Sequence, residues 1–109
     1  MFPKGNLMTG LLQQAKQVQE KIEELQGELA ALRIEGRAGG GMVMAVVNGQ
    51  QELLSVKIDP QLVHEDVEMV EDLVVAAVQQ ALQKAKDESQ QRINAVTGGF
   101  MGGLNLTDL

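Results

Sequence analysis

Seven apolar residues, Leu11, Ala15, Val18, Ile22, Leu25, Leu29 and Leu32, recur at alternating spacings of four and three. Held over three heptads, this seam dictates a long helix with one apolar stripe that something must cover. The positions between are mostly Gln, Glu and Lys. With Thr9 as N-terminal cap, the predicted helix ends near Leu32 and spans about 24 residues, roughly 36 Å.

The period then changes. Over residues 32–38, Leu32, Ile34 and Gly36 alternate with Arg33, Glu35 and Arg37, the pattern of a half-buried strand. Gly39, Gly40 and Gly41 predict a turn. Met42 to Val47 (MVMAVV) reads as a buried strand, and Asn48-Gly49 is a strong signal for a two-residue hairpin turn with φ > 0 at both positions. Glu52 to Ile58 returns as a third strand, with Leu54, Val56 and Ile58 on one face and Leu53, Ser55 and Lys57 on the other. Asp59-Pro60 predicts a cap with Pro at the first helical position. A short turn over 60–64 then leads to a second long helix from about Asp66 to Val96. Its apolar face is Val70, Leu73, Val74, Ala77, Val78, Ala81, Leu82 and Ala85.

These elements make one domain over residues 1–109, of α+β class and order α-β-β-β-α: a three-stranded antiparallel meander between two long helices. Flexible ends are expected over 1–8 and over the glycine-rich tail 97–109. A strand of six to eight residues covers only about 20–27 Å, so the first helix must overhang the sheet. Either the second helix or a second copy of the chain covers the seam. The overhang and the open sheet edges favour a two-fold homodimer.

Composition bounds the chemistry. The 109 residues include no Cys, which excludes disulfides, thiol catalysis and zinc–thiolate sites. His64 is the sole histidine, and beside Glu65 and Asp66 it reads as a solvated turn residue rather than a metal ligand. Gly39–Gly41 lacks the phosphate-loop pattern and precedes a strand. The acids lack the alternating spacing of a calcium loop. Ser55 and Ser89, the only serines, show no sign of lying beside His64. No catalytic residue, metal, cofactor or small-molecule substrate is therefore expected. No signal peptide or membrane span is read, and the cytoplasm is the expected compartment.

Net charge is −6. Asp59, Glu65, Asp66, Glu68, Glu71 and Asp72 carry all of it, with no Lys or Arg among residues 59–72. Such a block favours the start of a helix and is also a place for a basic protein to dock. With two aromatic residues in the chain, a base-stacking platform for single strands is not expected.

The ordered set of segments resembles the YbaB/EbfC family: MFPKGNLMTGLLQQAKQVQEKIEELQGELA as its first helix, EGRAGGGMVMAVVNGQQELLSVKID as its central signature, EDLVVAAVQQALQKAK as its second helix, and TGGFMGGL as its tail. The resemblance implies a non-enzymatic, tweezer-like homodimer that binds double-stranded DNA in the nucleoid, organising the chromosome and influencing gene expression. It further implies phosphate contacts from Lys16, Lys21, Arg33, Arg37 and Lys57. Leu11, Val18, Ile22, Leu25, Leu29, Val43 and Val46 are then expected at the dimer interface. The alternative is an acidic dimeric scaffold or accessory factor for DNA-processing enzymes.

Overall fold

The computed structural model describes the backbone of residues 4–102 and the side chains of residues 8–98. Its elements run α1 (Lys4–Ala31), β1 (Ile34–Ala38), β2 (Val43–Val47), β3 (Leu53–Ile58), a 3-10 helix (Pro60–His64) and α2 (Val67–Gly102). The three strands form one antiparallel sheet in the order β1-β2-β3. This is the α-β-β-β-α order that hydropathy patterning predicts.

Both helices run longer than expected. α1 begins at Lys4 rather than after Thr9, and α2 continues through Thr97 to Gly102. Gly5 and Asn6 fall in the first turn, where backbone N–H groups have no intrahelical partner anyway, so their weak helix preference costs little. At the other end the Thr97 hydroxyl donates to the Ile93 carbonyl at 2.7 Å. The remaining parts of the expected flexible ends, 1–3 and 103–109, lie outside the described residues.

The core is thin and built on small residues. Val43, Ala45 and Val47 point from β2 to one face and are fully buried under Ala77, Ala81 and Ala85 of α2. The spacing of four puts the three alanines on one stripe. Gly36 of β1 sits where the α2 backbone passes closest: a Cβ there would collide with the Ala77 carbonyl and the Ala81 backbone. Val70, Leu73, Val74, Val78 and Leu82 complete the predicted apolar face.

The β2–β3 turn departs from the expected two-residue hairpin. Asn48 N–H donates to the Glu52 carbonyl (3.0 Å), leaving Gly49, Gln50 and Gln51 as a three-residue loop whose positive φ falls on Gln51, at 65°. A three-residue loop ending in a left-handed residue brings a bulge. The register accordingly shifts, from Val46↔Ser55 to Val47↔Leu53. Leu53 thus lies opposite core-facing Val47, which strict alternation along β3 misses.

Asn48 is buried and serves the loop: its Oδ1 accepts from the N–H groups of Gln50 and Glu52 (3.0 Å each), and its Nδ2 donates to Glu52 Oε1 (2.7 Å). Asn48→Ala leaves those donors unpaired and is expected to lower stability by about 2–3 kcal/mol, read as a shift of the urea midpoint at unchanged m. Gly49 has a different task, since its N–H donates to the Leu29 carbonyl at 2.7 Å and a Cβ would strike Leu29. Gln50 Nε2 adds bonds to Gln26 O and Oε1, both 3.1 Å. The C-terminal turns of α1 are thereby docked on this loop.

The rest of α1 projects. The radius of gyration is 21.5 Å, against about 13 Å for a compact chain of this length.

Candidate nucleic-acid interface

α2 covers one face of the sheet and leaves the other without a helix. By register, Glu35 and Arg37 of β1, Met44 and Val46 of β2, and Ser55 and Lys57 of β3 share that open face. Arg37 pairs with Met44, and Met44 with Lys57, so the two cations flank a methionine in one row across all three strands. Adjacent strands are about 4.8 Å apart, which sets Arg37 and Lys57 roughly 10 Å from each other. A shallow concavity of about 240 Å³ lies over the row, lined also by Gly41 and Met42.

Arg37 is exposed, and its Nη2 meets Glu35 Oε2 at 2.8 Å. Such an exposed pair is worth about 0–1 kcal/mol, so the guanidinium is readily transferred to a stronger acceptor. β1 is held from outside by α2. Gln80 Oε1 accepts the Arg37 N–H at 2.7 Å, and Lys84 Nζ donates to the Glu35 carbonyl at 3.0 Å. The spacing of Gln80 and Lys84 beside the alanine stripe is visible in the sequence. Their partners are backbone groups, which no side-chain pattern announces.

The other expected cations are placed differently. Lys16 and Lys21 are both exposed on α1, but five residues turn them about 140° apart around the helix. Glu20, Glu23, Glu24 and Glu28 share the same helix and outnumber them. Arg33 closes α1, with Nη1 donating to the carbonyls of Ala30 (3.2 Å) and Leu32 (2.9 Å), which answers orphan carbonyls at the helix end. The acids of the block from Glu65 to Asp72 sit at the start of α2, across the sheet from the Arg37–Lys57 row. Asp59 Oδ1 is taken by the Gln61 N–H at 2.9 Å. Among the described residues no group of three or more His, Cys, Asp or Glu is placed to hold a metal ion, and no helix is long and apolar enough to cross a membrane.

The expected interface residues divide. Val43 and Leu29 are buried inside the chain, as is Leu25. Val43 packs against the alanines of α2, and Leu29 lies against Gly49 where α1 docks on the β2–β3 loop. Leu11 (54% exposed) and Ile22 (46%) stay uncovered on the projecting helix, and Val18 and Val46 are half-buried.

The model of the YbaB/EbfC DNA-binding family matches residues 4–100. The chain belongs to that family. It is 47% identical to a nucleoid-associated protein of Caldanaerobacter subterraneus subsp. tengcongensis over 100 residues, which cover 91% of this chain and 90% of the other. With a nucleoid-associated protein of Clostridium perfringens the identity is 46% over 106 residues, covering 94% and 95%. The fold is shared with an uncharacterized protein of Helicobacter pylori, at a TM-score of 0.67 and 24% identity over 77% of this chain and 86% of that one. YbaB/EbfC membership thus joins a DNA-binding family to an open sheet face on which Arg37 and Lys57 lie in one row across Met44, with Glu35 beside Arg37.

Proposed function

We propose that this YbaB/EbfC chain is a non-catalytic, nucleoid-associated protein that binds double-stranded DNA as a homodimer in the bacterial cytoplasm, organising the chromosome and modulating gene expression. The observation that carries the reading is the Arg37–Met44–Lys57 row on the helix-free face. Segregation of charge supports it, because the −6 net charge resides in a block whose helical part is separated from the row by the sheet. The contacts are to phosphates, which give affinity and salt sensitivity without reading sequence. Arg37 and Lys57 lead, while Lys16, Lys21 and Arg33 contribute less, the two lysines standing among more numerous glutamates on α1. The test is anisotropy of a labelled duplex at two salt concentrations with wild type and Arg37→Ala/Lys57→Ala. Binding that neither salt nor the double substitution weakens overturns the reading.

A further inference from the structure

Of the four asparagines in the chain, only Asn48 is followed by glycine. That step carries chemistry of its own. Asparagine is a thermolabile residue, and a following glycine has no side chain to shield its backbone nitrogen. The Gly49 nitrogen can attack Asn48 Cγ and close a five-membered ring. The N–Cγ bond forms, the Cγ–Nδ2 bond breaks, and Nδ2 leaves as ammonia with the proton that the Gly49 nitrogen gives up. Water then adds to one of the two ring carbonyl carbons and returns a proton to the nitrogen. Addition at Cγ breaks the new bond and leaves aspartate. Addition at the Asn48 main-chain carbonyl carbon breaks its bond to Gly49 and leaves isoaspartate, with the chain rerouted through the side chain. Nothing is oxidised or reduced, and water is the sole co-reactant.

The fold holds each reacting group elsewhere. The Gly49 N–H is donated to the Leu29 carbonyl at 2.7 Å. Gly49 is also pressed against α1: Leu29 O and Cδ2 lie 2.9 Å, and Leu29 Cα 3.0 Å, from where a Cβ would stand. Asn48 Oδ1 is fixed by the Gln50 and Glu52 N–H groups, and Nδ2 by Glu52 Oε1. Asn48 is 3% exposed, which keeps water from the ring-opening step. Reaction therefore requires the loop and the end of α1 to part. That contact is narrow. Besides buried Leu25 and Leu29, it consists of the Gly49 bond, the Gln50–Gln26 bonds and an ion pair of Arg92 with Glu28 at 3.6 Å. A local opening of this kind costs less than unfolding the sheet.

The products cannot rebuild the contact. A carboxylate at position 48 lacks the Nδ2 donor and faces Glu52 Oε1 where a 2.7 Å hydrogen bond stood. Two carboxylates so close in a buried loop repel, and neither is solvated. Isoaspartate instead lengthens the main chain by one atom, which carries the Gly49 N–H off the Leu29 carbonyl. We infer that Asn48-Gly49 is a self-modification site guarded by α1: the docked arm keeps the amide intact, undocking lets it convert, and conversion bars the arm from docking again. The change is one-way, so the loop records the time its arm has spent open.

The tryptic peptide over residues 38–57 contains Asn48 and no other asparagine. Mass spectrometry of that peptide, with aspartate and isoaspartate separated by chromatography, reads the conversion. At neutral pH and one temperature, the native chain is expected to convert at least about 100-fold more slowly than the urea-unfolded chain. Leu25→Ala/Leu29→Ala strips the docked end of α1 and is expected to speed native conversion at least about tenfold, with hydrogen exchange at the Val43 and Val47 amides confirming that the sheet stays closed. Asn48→Asp supplies the product directly and is expected to lower exchange protection of the Gly49 amide at least about tenfold. The first and third measurements stand even if the leucine variant fails to fold. A native chain that converts as fast as the unfolded one overturns the guard. A folded leucine variant that converts at the wild-type rate overturns the part given to α1. An Asn48→Asp chain whose Gly49 amide is protected as in wild type overturns the one-way release.

Discussion

Gly36→Ala is expected to destabilise the fold by at least about 3 kcal/mol, and so to lower Tm by roughly 12 °C or more at matched protein concentration. The added methyl meets no flexible side chain that can swing away. It meets the Ala77 carbonyl and the Ala81 backbone, the latter's Cα 2.9 Å from where the Cβ would be. Relief requires α2 to lift from β1. Lifting opens gaps over Val43, Ala45 and Val47, which are packed against the alanine stripe, and it pulls Gln80 and Lys84 from the β1 edge. The cost is large against a total stability of about 5–15 kcal/mol. Gly27→Ala is the matched control, since a Cβ there meets nothing within 4 Å, and its better helix propensity is expected to raise stability by up to about 1 kcal/mol. Thermal unfolding followed by circular dichroism reads both. A Gly36→Ala shift of under about 3 °C would show that α2 does not rest on the β1 backbone at this point.

That close approach marks the limit of what periodicity reveals. The apolar face from Val70 to Ala85 is legible because helical spacing forces those residues to one side, and all of them lie in or against the core. Gly36 is legible as a strand position, but the reason for a glycine there is a helix more than 40 residues away in sequence. Asn48 and Gly49 show the same limit at a turn. Their dipeptide signals a hairpin, and a hairpin forms, yet positive φ passes to Gln51 because Asn48 is engaged in bonds to Gln50 and Glu52 while Gly49 accommodates Leu29. The resulting bulge carries Leu53 to the core side by register, which no local alternation rule anticipates.

The candidate site divides in the same way. Arg37 and Lys57 belong to segments that resemble the family signature, but their shared row across Met44 follows only from strand register. The heptad seam reads as a single uniform stripe. In the fold its C-terminal part, at Leu25 and Leu29, is consumed within the chain, while Leu11 and Ile22 remain exposed. Sequence spacing marks a stripe that needs cover without stating that one stripe has two kinds of cover. The charge block is the most legible element of all, and its meaning is divided by topology: Glu68, Glu71 and Asp72 ride on the first turns of α2, on the helix-covered face, while Asp59 stays at the end of β3 near Arg37 and Lys57.

Duplex binding by a dimer that presents Arg37 and Lys57 from each copy is expected to fall with salt at a slope of about −3.6 in log K against log salt, from four phosphate contacts. Raising salt from 50 to 200 mM then weakens binding roughly 150-fold. Arg37→Ala/Lys57→Ala removes all four contacts and is expected to flatten the slope toward zero, with fold and mass unchanged because both side chains are exposed. Lys16→Ala/Lys21→Ala is expected to change the slope far less, since those lysines diverge around α1 among a surplus of glutamates. Glu35 supplies a test of opposite sign. Its carboxylate holds Arg37 at 2.8 Å and also repels phosphate, so Glu35→Gln is expected to tighten binding about two- to fivefold at low salt, equivalent to the 0–1 kcal/mol of an exposed pair. A row that acts on phosphates must give both results: loss of slope when its cations go, and gain of affinity when its competing acid goes. A double variant that keeps the wild-type slope would move the contact surface to α1, whereas weakening by Glu35→Gln would show that the ion pair orients Arg37 rather than competing for it.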